Sequence, residues 1–147
     1  MANKHLVFWG IALVVFILDR VSKFFVVKYI SLNSSIDFSF FSFVHVLNTG
    51  TVFGFLKNGS WFFIIFAAAV SAFLILKYKT FAGSLQPILG LILGGAVGNL
   101  LDRLLYGAVI DFIDFHFWPA FNVADSAVTI AVVLLLAREY IFKKRNI

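Results

Sequence analysis

The sequence predicts an all-α membrane protein with a small β element: a four-transmembrane-helix bundle plus an extracytoplasmic β-sheet lying on the outer membrane surface. Three observations predict it. Of the 147 residues, 62% are hydrophobic and only 13% charged, and the mean hydropathy is +1.01, well beyond a soluble globular chain. Thr80 to Leu101 runs 22 residues without a charge and Gly59 to Leu76 runs 18, enough to cross a bilayer core of about 30 Å. The third observation is that the charges divide by side.

If four helices alternate in direction from a cytoplasmic N-terminus, Lys4, Lys77, Lys79, Arg138, Lys143, Lys144 and Arg145 share one side with Glu139 alone against them, a net +6. The other side holds Arg20, Lys23, Lys28, Lys57 and Arg103 against Asp19, Asp37, Asp102, Asp111, Asp114 and Asp125, a net −1, which completes the formal charge of +5. Lys and Arg in short loops near helix ends mark the cytoplasmic side, so both termini are expected inside. Six of the seven acidic residues then gather at or beyond the outer leaflet.

The first helix is expected over about residues 6–27. Its apolar run ends in Leu18-Asp19-Arg20 without a small-x-small cleavage site, so it reads as an uncleaved helix, not a removed signal. Asp19 and Lys23 stand four apart and share a face. The outer segment, about residues 31–58, alternates Ile36, Phe38 and Phe40 with Asp37, Ser39 and Phe41, and continues through Ser42 to Leu47 before the turn-forming Asn48-Thr49-Gly50. That pattern predicts a small sheet, and its phenylalanine content predicts that one face meets lipid.

Helix two, about residues 60–78, opens on Trp61 at the interface and closes on Lys77 and Lys79. Helix three, about 85–101, carries Gly90, Gly94 and Gly98 at spacing four, a stripe that admits a close helix neighbour, and a second stripe of Gly95, Asn99 and Arg103. An outer loop of about 102–121 follows, turning at Tyr106-Gly107 and extended from Ala108 to Phe117; in a strand Asp111 and Asp114 face opposite sides. Asn122 begins helix four, about 122–142. The 147 residues read as one domain.

In so apolar a chain every ionised carboxylate needs a reason, and Asp111 and Asp125 are the leading candidates for a working site. Asp125 also fits a structural role, three residues after the N-cap residue Asn122, where a carboxylate suits the helix dipole. Asp111 has no evident structural partner in an extended apolar segment. The pairs Asp19-Lys23 and Asp102-Arg103 read equally as structural ion pairs or substrate contacts. Other chemistries lack their residues. No cysteine occurs, the histidines His5, His45 and His116 are scattered, and no G-x-S-x-G is present. Two aspartates brought together share a proton, which supplies an acid and a base that activate water without a metal. The rival reading, a small transporter or proton relay, calls for charges near the bilayer midplane and commonly for repeats. The cytoplasmic halves of the expected helices are uncharged until their ends, and no repeat is found.

Five motifs in order carry a family resemblance: Asp19-Arg20-Val21-Ser22-Lys23; Asn48-Thr49-Gly50 with Phe53-Gly54; Gly94-Gly95-Ala96-Val97-Gly98-Asn99 with Asp102-Arg103; Val109-Ile110-Asp111-Phe112; and Phe121-Asn122-Val123-Ala124-Asp125-Ser126. The chain resembles lipoprotein signal peptidase (signal peptidase II) over nearly its whole length. The resemblance implies a bacterial inner-membrane aspartic endopeptidase that removes signal peptides from prolipoproteins, cutting before a diacylglyceryl-modified cysteine at the outer interface. It implies a catalytic pair of Asp111 and Asp125, with Asp114 a bystander. Asp19, Lys23, Asn48, Gly50, Asn99, Asp102, Arg103 and Asn122 are then substrate-binding or supporting groups, while Arg20 and Thr51 sit where variation is expected. It also implies membrane lipids as partners and inhibition by the cyclic peptide globomycin. No metal, cofactor or nucleic acid is implied.

Overall fold

The structure, a computed structural model, describes residues 2–50 and 60–145. Residues 51–59, which hold Thr51, the Phe53-Gly54 motif and Lys57, lie outside the described residues. Among the described residues there are four α-helices: α1 (Ala2–Tyr29), α2 (Ser60–Lys77), α3 (Gln86–Tyr106) and α4 (Val123–Arg145). Three strands, β1 (Ser35–Asp37), β2 (Ser42–Asn48) and β3 (Val109–Asp114), form one antiparallel sheet in the order β1-β2-β3. Two segments, Trp61–Thr80 and Gly83–Tyr106, are long and apolar enough to cross a membrane.

Helix α3 is the hub, packing against α1, α2 and α4. The glycine stripe is the reason it sits so close to α1. A Cβ at Gly90 would stand 2.7 Å from the carbonyl oxygen of Phe8, and one at Gly94 2.6 Å from that of Ala12. Side chains at those positions would force the helices apart. At one end of the bundle Phe8, Ala12, Leu74, Tyr78, Leu89 and Leu93 make a buried cluster, with Phe8 stacked on Tyr78 at 4.3 Å. Outward faces stay apolar: Phe24, Ile65 and Leu136 are each at least 60% exposed. Such surface belongs against lipid, not water.

Helix α3 runs one turn past the expected end, carrying Asp102 and Arg103 inside the helix. Gly107 stops it, adopting φ 70° and donating its N–H to the Arg103 carbonyl, a left-handed cap that glycine enters without a Cβ penalty. The sheet is also larger in reach than the sequence pattern suggests. Two strands come from the outer segment, but the third, β3, comes from the loop after α3 and carries Asp111. Between Phe43 and Val46 strand β2 advances three residues while β3 advances two, a bulge that resets the pairing so that Asn48 lies opposite Val109. Asn48 and Asp111 therefore sit diagonally on one face, within reach of each other.

Beyond β3 the chain folds back on itself. Phe112 and Ile113 both donate N–H to the Phe121 carbonyl, and Phe121 returns one to Ile113. That return, with Pro119 in its course, delivers Asn122 and the start of α4 alongside Asp111. Val26, Ile110 and Phe112, with Ile113 and Val123 against them, seal the sheet to α1.

Candidate active site

The site forms where the start of α4, the end of α3 and strand β3 converge. Asn122 is the N-cap of α4 and Asp125 its third residue. The Asn122 side chain accepts the Asp125 N–H at 2.9 Å, and the Asp125 carboxylate accepts the Asn122 N–H at 3.3 Å. Asn122 is thus the N-cap that the sequence suggests, and Asp125, expected there to suit the helix dipole, also closes a reciprocal capping box. Asn122, together with Asn99 of α3, also joins Asp125 to Asp111. Asn99 Nδ2 donates to Asp125 Oδ1 at 2.7 Å, and Asn122 Nδ2 donates to Asp111 Oδ1 at 2.7 Å and to Asn99 Oδ1 at 3.1 Å. The two carboxylates are thus linked through one amide network, in which every asparagine orientation is set by its partners.

Asn48 completes the set. Its Oδ1 accepts the Gly50 N–H at 2.9 Å, which turns its Nδ2 toward Asp111 Oδ2, also at 2.9 Å. Gly50 makes this turn at φ 90°, and a Cβ there would lie 2.6 Å from the Phe63 ring, so both conformation and space call for glycine. Asp111 is 2% exposed. Burial pushes its carboxyl up to about 7, reinforced by repulsion from Asp125 and opposed by the hydrogen bonds from Asn48 and Asn122. Asp114 stands apart from this network; its carboxylate accepts the His116 N–H at 2.7 Å at the end of β3.

Beneath the asparagines lies a buried ion cluster. Lys23 Nζ meets Asp19 Oδ2 at 3.0 Å, Asp102 Oδ2 at 2.6 Å and Asn99 Oδ1 at 3.1 Å. The Asp19-Lys23 pair is present as an ion pair. Asp102 differs from the sequence expectation, since it pairs with Lys23 and Arg20, not Arg103. The reason is geometric: neighbours on a helix point about 100° apart, so Asp102 faces α1 while Arg103 faces α2. Arg103 lies over the Phe63 ring at 5.2 Å. Arg20 was the residue that sequence reasoning passed over. The available signal was charge balance, for Asp19 and Asp102 together need two cations in an apolar bundle.

Asp125 opens onto two apolar clefts. One, of about 300 Å³ between α2, α3 and α4, is lined by Phe66, Val70, Gly95, Asn99, Arg103 and Asp125 among others. The second, of about 400 Å³, is walled by Phe115, Phe117, Trp118, Phe121 and Ile130. Two carboxylates, one deeply buried and one at the meeting of two apolar clefts, can hold a shared proton and a water against a peptide carbonyl.

The chain as a whole is similar to known proteins. A lipoprotein signal peptidase of Thermodesulfovibrio yellowstonii is 44% identical over 128 residues, covering 83% of this chain and 86% of that one. Another, from Symbiobacterium thermophilum, is 41% identical over 146 residues, covering 92% and 95%. A solved bacterial membrane enzyme superposes with a TM-score of 0.82 at 30% identity, over 95% of this chain and 88% of its own. The family model for signal peptidase (SPase) II matches residues 11–141, a span that holds both aspartates, all three asparagines and the ion cluster, and the chain belongs to that family.

Proposed function

We propose that this protein cleaves lipoprotein signal peptides as an aspartic endopeptidase, with Asp111 and Asp125 as the catalytic pair. The observation that carries the assignment is their linkage through Asn99 and Asn122, with Asp125 opening onto two apolar clefts. A carboxyl held up to about 7 still carries its proton on a large share of molecules near neutral pH, which suits Asp111 to the role of acid. Asp125 takes a proton from a water, and the resulting hydroxide attacks the scissile carbonyl while Asp111 hydrogen-bonds and then protonates the carbonyl oxygen. Collapse of the tetrahedral intermediate breaks the C–N bond, sends the proton taken by Asp125 to the leaving amine, and returns a hydroxyl proton to Asp111 as the carbonyl re-forms, which restores the pair. Because the pair is coupled, its titration belongs to both residues.

The substrate fits the setting. Apolar clefts accept a signal helix and acyl chains, and the polar groups of the site lie at one end of the bundle, as a scissile bond near the outer interface requires. The chain is one integral-membrane peptidase domain in which all four helices cross the inner membrane, with both termini cytoplasmic and the site facing outward. The charge asymmetry supports that orientation. The sheet rests on the outer membrane surface, a reading supported by Phe40 and Phe117, each 84% exposed beside polar strand ends. Asn48, Asn99 and Asn122 hold the pair, and Arg103 contacts the substrate in the cleft.

The test is cleavage of a diacylglyceryl-modified prolipoprotein by the purified protein in detergent. Wild type releases the signal peptide and is blocked by globomycin, whereas Asp111→Asn and Asp125→Asn are folded and inactive. A wild-type protein that leaves the substrate intact, or an active Asp111→Asn, refutes the reading.

A further inference from the structure

We infer that Arg20 is a positioning residue for the aspartate pair, acting through two buried carboxylates that each grip the backbone next to one catalytic aspartate. The inference rests on the catalytic reading above. Asp19 and Asp102 are both fully buried. Asp19 Oδ1 accepts the N–H of Ala124, the residue before Asp125, at 3.1 Å. Asp102 Oδ2 accepts the N–H of Ile110, the residue before Asp111, at 3.1 Å. One carboxylate thus anchors the start of α4 and the other anchors β3, each one residue from the chemistry.

Arg20 ties these two anchors together. Its guanidinium donates Nη2 to Asp19 Oδ2 at 2.6 Å and Nη1 to Asp102 Oδ1 at 2.7 Å, and Nη2 also reaches the Gly98 carbonyl at 3.1 Å. A planar fork with several donors suits this bridge in a way that a single ammonium does not. Lys23 touches both carboxylates too, but it bonds Asn99 and so enters the asparagine network directly. Among the described residues Arg20 makes no bond to Asn99, Asn122 or either catalytic aspartate, so its side-chain influence on the pair runs through Asp19 and Asp102, with the Gly98 carbonyl as a third anchor.

Charge balance explains why the bridge holds its shape. Two carboxylates and two cations leave the cluster neutral, which a low-dielectric bundle tolerates when each partner is hydrogen-bonded. Without Arg20, Lys23 alone faces two buried carboxylates. One of them is then left without its charge partner, and its grip on Ile110 or Ala124 slackens. The distance between the two aspartate-bearing backbones is no longer held, and the catalytic pair pays in geometry while the substrate clefts, lined by other residues, are untouched.

The experiment uses the full-length protein in detergent with a diacylglyceryl prolipoprotein substrate, and compares wild type with Arg20→Gln and Arg20→Lys. For Arg20→Gln, kcat falls about tenfold or more per folded molecule, within the hundredfold range of an ångström-scale misplacement, while KM stays within about twofold. Amide exchange at Ile110 and Ala124, read by NMR, accelerates. Arg20→Lys, which reaches one carboxylate at a time, falls between wild type and Arg20→Gln on both readouts. An unchanged kcat in Arg20→Gln, a loss confined to KM, or a loss accounted for by a smaller folded fraction overturns the proposal. Should Arg20→Gln not fold, Arg20→Lys decides: wild-type kcat and wild-type exchange at both amides overturn it. Failure of the functional reading is separate, since it shows as an inactive wild type.

Discussion

Replacing Asp111 by Asn should remove activity and remove this residue's contribution to the pH dependence of stability, so that the order of the two stabilities reverses between low and high pH. Burial holds the Asp111 carboxyl up to about 7 in the folded protein against 3.8 for an ordinary aspartate. A group whose folded value is raised favours the native state fully below the unfolded value, and that contribution is lost as pH rises through the folded one. The window therefore runs from pH 3.8 to about 7. Each pH unit across it removes about 1.4 kcal/mol, so wild type gives up about 4 kcal/mol in all. The asparagine variant carries no such loss. It turns one amide NH₂ toward a donor, either Asn48 or Asn122, and forfeits one hydrogen bond at about 1 kcal/mol. The variant should be about 1 kcal/mol less stable than wild type near pH 4, and about 3 kcal/mol more stable near pH 8. For a chain of this size that difference at pH 8 corresponds to a Tm roughly 6–12 °C higher. Thermal unfolding of both proteins in one detergent at pH 4, 6 and 8 measures it. Parallel Tm curves, or a variant less stable at pH 8, would show that Asp111 is not held protonated by burial.

Three further outcomes follow from the same geometry. Asp114→Asn should keep cleavage activity within about threefold of wild type, since its carboxylate accepts the His116 N–H at the end of β3, away from the asparagine network, and an uncoupled surface change is usually small; an inactive Asp114→Asn in the prolipoprotein assay would put the acid in the wrong place. Gly98→Ala should destabilise by about 1–3 kcal/mol, because its Cβ would lie 2.7 Å from Asp19 Oδ2 inside the ion cluster, and denaturant titration with a kcat measurement reads both consequences. Reporter fusions after Lys79 and Ile147 should read cytoplasmic and one at Tyr106 should read external; an external signal after Ile147 would reverse the orientation of the site.

Much of this protein is legible without coordinates, and the reasons are local. Hydropathy over Gly59 to Leu76 and Thr80 to Leu101 reports burial in lipid directly, because a charge in the bilayer is costly wherever the neighbouring helices stand. The glycine stripe at 90, 94 and 98 announces a close helix contact, and Asn122 with Asp125 announces the capped start of a helix; both depend on residues within three turns of one another. The five motifs also led to the family, which the relatives bear out.

What tertiary structure decided is how distant segments meet. No periodicity in residues 108–117 says that β3 pairs with β2, and it is this pairing, with its bulge before Val46, that puts Asn48 on Asp111. The helix pattern of α1 gives Asp19 and Lys23 a common face but does not say that Asp102, 79 residues after Lys23, is their partner, nor that Arg20 bridges the pair. Pairings of that kind depend on loop closure across most of the chain and on which faces of α1 and α3 are small enough to touch. Local sequence carries the preference of each element, while the network that orients two aspartates exists only once α1, α3, β3 and α4 are packed.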